Sequence, residues 1–138
     1  MKLAILDTNV YVAYWDGSFE ENLMEAVRRK YIIRHSAVVR SELRRGARTR
    51  AAQRFAGHLF RLARVVWEPT ARDWWEAGRL VREIGDAEDW DRNKRRSFQN
   101  DALIALTARH HGAAVVTADL SDFDLLVRAL RISVLPVG

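Results

Sequence analysis

Phe98-Gln99-Asn100-Asp101-Ala102-Leu103-Ile104-Ala105-Leu106-Thr107-Ala108-Arg109, then Gly112, then Ala113-Ala114-Val115-Val116-Thr117 is the stretch that decides the fold. Phe98 to Arg109 is apolar on most sides, as a helix is when it lies at the centre of a domain. His110 and His111 close its C-terminus, where cations are favoured, and Gly112 stops it. Ala113–Thr117 has the unbroken apolar character of a strand covered on both faces. Ser121-Asp122-Phe123-Asp124 carries the capping-box pattern and opens a helix to Leu130; Ile132–Leu135 is a last strand before Pro136.

The same alternation runs back to the N-terminus. Lys2–Leu6 reads as a short apolar strand ending at Asp7, and Asn9 is placed to cap a helix beginning Val10-Tyr11-Val12-Ala13-Tyr14-Trp15. A helix over Glu20–Lys30 is acidic at its start and basic at its end, as the helix dipole favours. Tyr31-Ile32-Ile33 is β-rich, Ala37–Arg45 and Arg50–Ala63 read as helices, and Arg64–Trp67 as a strand closed by Pro69. Thr70-Ala71-Arg72-Asp73 is a capping box before a one-faced helix to about Ile84, and the charged segment Asp86–Arg96 reads as a loop. Strands alternating with helices predict a three-layer α/β/α domain around a parallel sheet. No linker divides residues 1–138, so one domain is expected.

Composition narrows the function classes. The longest apolar runs are a few residues, far short of the roughly 20 that span a bilayer. The first apolar stretch meets Asp7 too early for a signal peptide. Without cysteine there is neither a disulfide framework nor a thiolate metal site, so a soluble cytoplasmic protein is expected. Net charge is +5, and of the 23 Lys plus Arg only Lys2, Lys30 and Lys94 are lysines, leaving 20 arginines. Arginine binds phosphate bidentately and stacks on bases, which suits a nucleic-acid partner; genome base composition explains the same bias equally well.

The chemistry lies with the acids. Ligands of open parallel sheets bind beyond the carboxyl ends of the strands. Asp7 follows the first strand, and Asp119 stands two residues beyond Thr117. Asp101 falls in the first turn or so of the apolar helix, where the dipole would keep it ionised. Glu42 sits beside the apolar stripe of Ala37–Leu43, with pairing to Arg40 or Arg45 as the plainer alternative. Asp122 is either a supporting ligand or a first-turn acid, and Asp124 is accounted for by its capping box. Acids gathered together repel, and a divalent cation neutralises them; all-carboxylate oxygen donors suit Mg²⁺ or Mn²⁺.

Taken in order, Leu6-Asp7-Thr8-Asn9, Ser41-Glu42-Leu43, Asn100-Asp101-Ala102-Leu103-Ile104-Ala105 and Val116-Thr117-Ala118-Asp119 with Asp122-Phe123 resemble a PIN-domain nuclease, closest to the VapC type of toxin. The resemblance covers essentially the whole chain and rests on four motifs in sequence. It implies a parallel sheet flanked by helices, with Asp7, Glu42, Asp101 and Asp119 converging as the catalytic acids. Asp7 and Asp101 are then the firmest ligands of Mg²⁺ or Mn²⁺. Thr8, Asn9 and Thr117 would orient acids or water, with capping an equal reading of Asn9, and Asp122 would support them. RNA is the implied substrate, with a cognate antitoxin and a second copy of the chain as partners.

Two features depart from that pattern. The segment 86–96 is unusually charged, and its basic half, Arg92, Lys94, Arg95 and Arg96, is expected either to be solvated or to grip RNA backbone. Trp74-Trp75 is expected in the core or at a dimer contact, not as a base-stacking platform. Three rival functions remain. A haloacid-dehalogenase-type phosphatase needs a second acid where this chain has Asn9, and an activating lysine that Lys2, Lys30 and Lys94 are poorly placed to supply. A non-catalytic RNA-binding module would have no need of all four acids, and a DNA-directed nuclease shares the same phosphate chemistry. His35, His58, His110 and His111 lie apart from the acids and suggest neither a general base nor a zinc site.

Overall fold

The computed structural model describes residues 2–17, 21–62 and 65–137. Five strands, β1 (Lys2–Leu6), β2 (Tyr31–Ser36), β3 (Val66–Trp67), β4 (Ala114–Thr117) and β5 (Ser133–Pro136), form one sheet in the order β3-β2-β1-β4-β5. Every pairing is parallel, with Ala4 opposite both Ile33 and Ala114. Parallel neighbours require crossovers, and these are supplied by α1 (Thr8–Trp15), α2 (Glu21–Lys30), α3 (Ala37–Gly46), α4 (Arg50–Leu62), α5 (Ala71–Ala87), α6 (Arg92–His110) and α7 (Leu120–Ala129). Right-handed crossovers leading from β1 towards β3 and back towards β5 lie on opposite faces of the sheet, giving three layers. The order of winding reverses between β1 and β4, and it is at the carboxyl ends of two such strands that open parallel sheets bind their ligands.

Helix α6 is the centre of the core. Phe98, Ala102, Leu103, Ile104, Ala105, Leu106 and Ala108 are fully buried, together with Ile5, Val115, Val116, Phe123 and Leu126. α6 packs against α3, α5, α7 and β4, and its buried Ala, Leu, Ile and Phe side chains join one close-packed cluster with them. At about 25 cal/mol per Å² of apolar area, each fully buried Leu or Phe contributes about 2–3 kcal/mol.

Several boundaries differ from those expected. Segment 86–96 is mostly helical: α5 continues to Ala87 and α6 begins at Arg92, leaving only 88–91 between them. The cause is local. Asp91 caps α6 by accepting from the Lys94 amide at 2.8 Å, and Asp89 turns the chain at φ 54°. Arg95 reaches back to the Trp90 carbonyl and Asp86 over Gly85, where a Cβ would stand 2.7 Å from the guanidinium. Asn9 is not the cap of α1; Asp7 is, so the helix starts at Thr8. Likewise α7 is capped by Asp119 and starts at Leu120, which leaves Ser121 in the first turn and Asp124 exposed on the helix. Thr70 and Asp73 do form the reciprocal capping box. Trp74 and Trp75 are 52 % and 81 % exposed, so a core role is excluded. Glu20, Ala63 and Arg64, which the sequence assigns to element ends, lie outside the described residues.

Candidate active site

Asp7 owes its position to two demands on one residue. It ends β1, with its amide donating to the Val116 carbonyl of β4 at 2.9 Å, and it caps α1 through Oδ1, which accepts from the Thr8 amide at 2.8 Å. Its other oxygen accepts from the Thr117 hydroxyl at 2.8 Å and from Asn9 Nδ2 at 3.2 Å. Thr117 is the hub of this network. Fully buried at the end of β4, its oxygen also accepts from the Asp119 amide at 3.0 Å. Asn9 Oδ1 accepts from the Ala118 amide at 3.2 Å, tying the turn after β4 to α1. Asn9 therefore donates to an acid of the cluster and does not cap α1.

Glu42 projects from α3 and is half-buried. The hydroxyl of Thr8 donates to it at 2.7 Å and Asn100 Nδ2 at 3.4 Å, so neutral donors hold it, and neither Arg40 nor Arg45 pairs with it. Arg40 instead donates to the Phe60 carbonyl and lies over the Phe60 ring. Asn100 is a positioning residue that composition and spacing did not single out, although it stands beside Asp101 in sequence.

Asp101 lies near the middle of α6, since that helix starts nine residues earlier, so the helix dipole gives it no help. Burial pushes its carboxyl up to about 9; the charge of Asp7, a hydrogen bond with Asp122 and the charges of Asp122 and Asp119 add to this. Asp7 is also raised, to about 6, chiefly by burial, with Glu42 and Asp119 adding repulsion and the bonds from Thr117 and Thr8 opposing it. Carboxylate oxygens of Asp101, Asp119 and Asp122 all lie within 4.8 Å of one another. Asp119 receives the Ser121 hydroxyl at 3.0 Å and the Asp122 amide at 3.4 Å. Asp122 differs from the others: both of its oxygens accept from Lys94 Nζ, at 2.8 and 2.7 Å.

Asp7, Glu42, Asp101 and Asp119 thus converge beyond β1 and β4, with Thr8, Asn9, Thr117 and Asp122 bonded among them. The basic segment divides. Lys94 points into the acids and Arg95 onto Asp86, while Arg92 and Arg96 are exposed. A hard divalent cation fits this donor set. The donors are all oxygens, a Mg²⁺ ion bonds oxygen at about 2.0–2.1 Å so that opposite ligands stand about 4 Å apart, and a cation would favour the ionised forms of Asp7 and Asp101, which burial and then repulsion disfavour. A cavity of about 510 Å³ lies elsewhere, lined by Tyr11, His35, Val39, Arg40, Leu43 and Phe60, with none of these acids on its wall. Its size does not make it the reaction centre, because it lacks the clustered carboxylates that phosphate chemistry with a metal requires.

Fold and acid cluster together define a parallel α/β protein with a carboxylate site at its strand switch. The PIN-domain family model matches residues 4–128, and the chain belongs to that family. Among solved structures the chain is similar to VapBC2 from Rickettsia felis, bound to a DNA fragment from their promoter, at 20 % identity, TM-score 0.71 and 99 % coverage of both chains. It is also similar to VapBC-1 from nontypeable Haemophilus influenzae (18 % identity, TM-score 0.70, 97 % of each chain). DNA-bound VapBC from Salmonella typhimurium is a third, at 20 % identity and TM-score 0.69, with 99 % of this chain and 98 % of that one covered. At these identities the likeness is one of fold. Comparison with curated proteins gives no match.

Proposed function

We propose that this protein is a divalent-metal-dependent endoribonuclease acting as the toxin of a VapBC-type pair. The observation that carries the reading is the convergence of Asp7, Glu42, Asp101 and Asp119 at the carboxyl ends of β1 and β4. Asp7 and Asp101 would hold Mg²⁺ or Mn²⁺, with Asp119 and Glu42 completing the pocket. The ion, when bound, supplies a water of lowered pKa and stabilises charge developing on the scissile phosphate. The chain's own residues do the positioning. Thr117 and Asn9 fix the orientation of Asp7, Thr8 and Asn100 fix Glu42, and the Asp119 carboxylate is anchored by Ser121 and the first turn of α7.

RNA backbone would meet the exposed Arg92 and Arg96 at the start of α6; Lys94 and Arg95, engaged within the protein, leave that role. The likeness to chains solved as VapBC complexes, and to a toxin-antitoxin complex from Klebsiella pneumoniae (17 % identity, TM-score 0.59, 87 % of this chain), supports an antitoxin partner. A second copy of the chain is the other partner we propose, with the exposed Trp74 and Trp75 available for contact. No described helix is long and apolar enough to cross a membrane; a cytoplasmic site of action goes with the toxin reading as part of the same proposal.

The test is cleavage of a mixed RNA pool by purified, antitoxin-free protein with Mg²⁺, with Mn²⁺ and with chelator, beside Asp101→Asn. Metal-dependent cutting that falls to the chelator background in the variant is the expected result. Intact RNA under all conditions, from protein shown to bind metal, would overturn the ribonuclease reading in favour of a DNA-directed nuclease or a binding module.

A further inference from the structure

Lys94 stands where its own helix does not favour a cation. It lies in the first turn of α6, two residues after Arg92, at the positive end of the dipole. What holds it is the acid cluster. Its Nζ donates to both oxygens of Asp122 at 2.7 and 2.8 Å, and Asp122 is buried with a side chain 8 % exposed. The ammonium sits 5.1 Å above the ring of Trp90, which packs edge-on against the fully buried Phe98 at 4.7 Å. A cation over an aromatic face is attracted by the ring quadrupole, so Trp90 fixes the ammonium from the other side. Asp122 in turn lies within 4.8 Å, oxygen to oxygen, of Asp101 and Asp119. Among the described residues, the other ion pairs lie outside this cluster, on Glu25, Glu76, Glu83 and Asp86.

We propose that Lys94 is a built-in cation standing in the place of a second metal ion, so that the site takes one divalent ion and not two. Two-metal sites set their ions about 3.5–4 Å apart, with neighbouring carboxylates shared between them. Asp122, within 4.8 Å of Asp101 and Asp119, is the acid that a second ion on this side of the cluster would share with them, and Lys94 already covers both of its oxygens. Asp7, Asp101 and Asp119 are left to the single ion: the charge of Lys94 also reaches Asp119 and Asp101, but its hydrogen bonds go to Asp122. Lys94 is therefore a positioning residue: it sets metal number and occupies Asp122 with a cation of the protein's own. The inference rests on the metal reading of the site proposed above.

The experiment counts Mn²⁺ bound by the full chain, by equilibrium dialysis and electron paramagnetic resonance, in wild type, Lys94→Met and Lys94→Arg. Methionine keeps the aliphatic stem over Trp90 and removes only the charge. Wild type and Lys94→Arg are expected to bind one Mn²⁺ with the signal of an isolated ion. Lys94→Met is expected to bind two, with the exchange-coupled spectrum of a pair. Wild type binding two ions overturns the proposal without any variant, and Lys94→Met binding one or none overturns it as well. Wild type binding no Mn²⁺ overturns the metal reading itself, a distinguishable failure.

Discussion

Binding of a divalent ion should expel close to one proton per chain at pH 7.5. In the metal-free protein the Asp101 carboxyl is pushed up to about 9 by burial and by its neighbours' charges, so at pH 7.5 it holds a proton, which its hydrogen bond with Asp122 shares. Asp7, raised to about 6, is by then mostly ionised. An ion ligated by both must displace the Asp101 proton, since only the carboxylate is a ligand. Apparent affinity should therefore rise about tenfold per pH unit between about pH 6.5 and 8.5, roughly 1.4 kcal/mol per unit. Below about pH 6 the slope should steepen towards two protons as Asp7 also protonates. The assay is calorimetric titration of Mn²⁺ at pH 7.5 in Pipes and in Tris, whose ionisation enthalpies differ widely, repeated across the pH range. A difference in observed heat corresponding to about one proton is expected, and it should disappear in Asp101→Asn. Equal heats in the two buffers, or a flat affinity from pH 6.5 to 8.5, would mean that Asp101 is already ionised without metal. Burial and repulsion would then not govern the site.

Three further outcomes follow from the same structure. In chelator, the raised Asp101 makes the folded chain hold a proton that the unfolded chain releases above about pH 4, so stability should fall as pH climbs from about 4 to about 9. Asp101→Asn lacks that loss, and its Tm advantage over wild type should widen across this window; parallel Tm profiles would contradict it. Thr117→Val removes a hydroxyl that donates to Asp7 and accepts from the Asp119 amide, and urea unfolding should record a loss of about 1–3 kcal/mol. An unchanged midpoint would show that Thr117 is no hub. Trp75→Ser, at a side chain that is 81 % exposed, should shift monomer stability by less than about 0.5 kcal/mol in the same assay, and a larger loss would return Trp75 to the core.

The fold was legible because its signals are the ones burial imposes. Phe98–Arg109 and Ala113–Thr117 are apolar in the patterns that a central helix and a doubly covered strand demand, and they occupy those places. Boundaries were less legible where charged residues turned out helical. Arg92, Asn93, Lys94 and Arg95 offer no apolar stripe, and what makes them a helix is a cap at Asp91 and a tertiary seat for Arg95 over Gly85. Neither is visible as periodicity. Trp74 and Trp75 lie outside the core for a related reason: hydrophobicity argues for a covering surface, but not for whether this chain supplies it.

The acids show the sharper division between what residue type reveals and what geometry adds. Position at a strand end says little of Asp7 or Asp119 singly and more of the pair, because topology alone delivers the ends of β1 and β4 to one edge. Asp101 was found by its setting in an apolar helix but assigned the wrong electrostatics: moving the helix start back to Arg92 replaces a favourable dipole with burial and three like charges. The charged neighbourhood of Lys94 predicts a solvated side chain or one gripping RNA backbone, whereas the fold sets it on Asp122, 28 positions further along the chain. A local pattern ranks a lysine in a basic run as solvated, and only the tertiary structure places it against a buried carboxylate. Burial lowers the lysine's pKa, yet the hydrogen bonds and charge of Asp122 outweigh that and raise it, so Lys94 stays charged where the cluster needs a cation. The protein offsets one of its gathered acids by itself, and Asp7 and Asp101, raised chiefly by burial and further by their neighbours' charges, are left to the divalent ion proposed for the site.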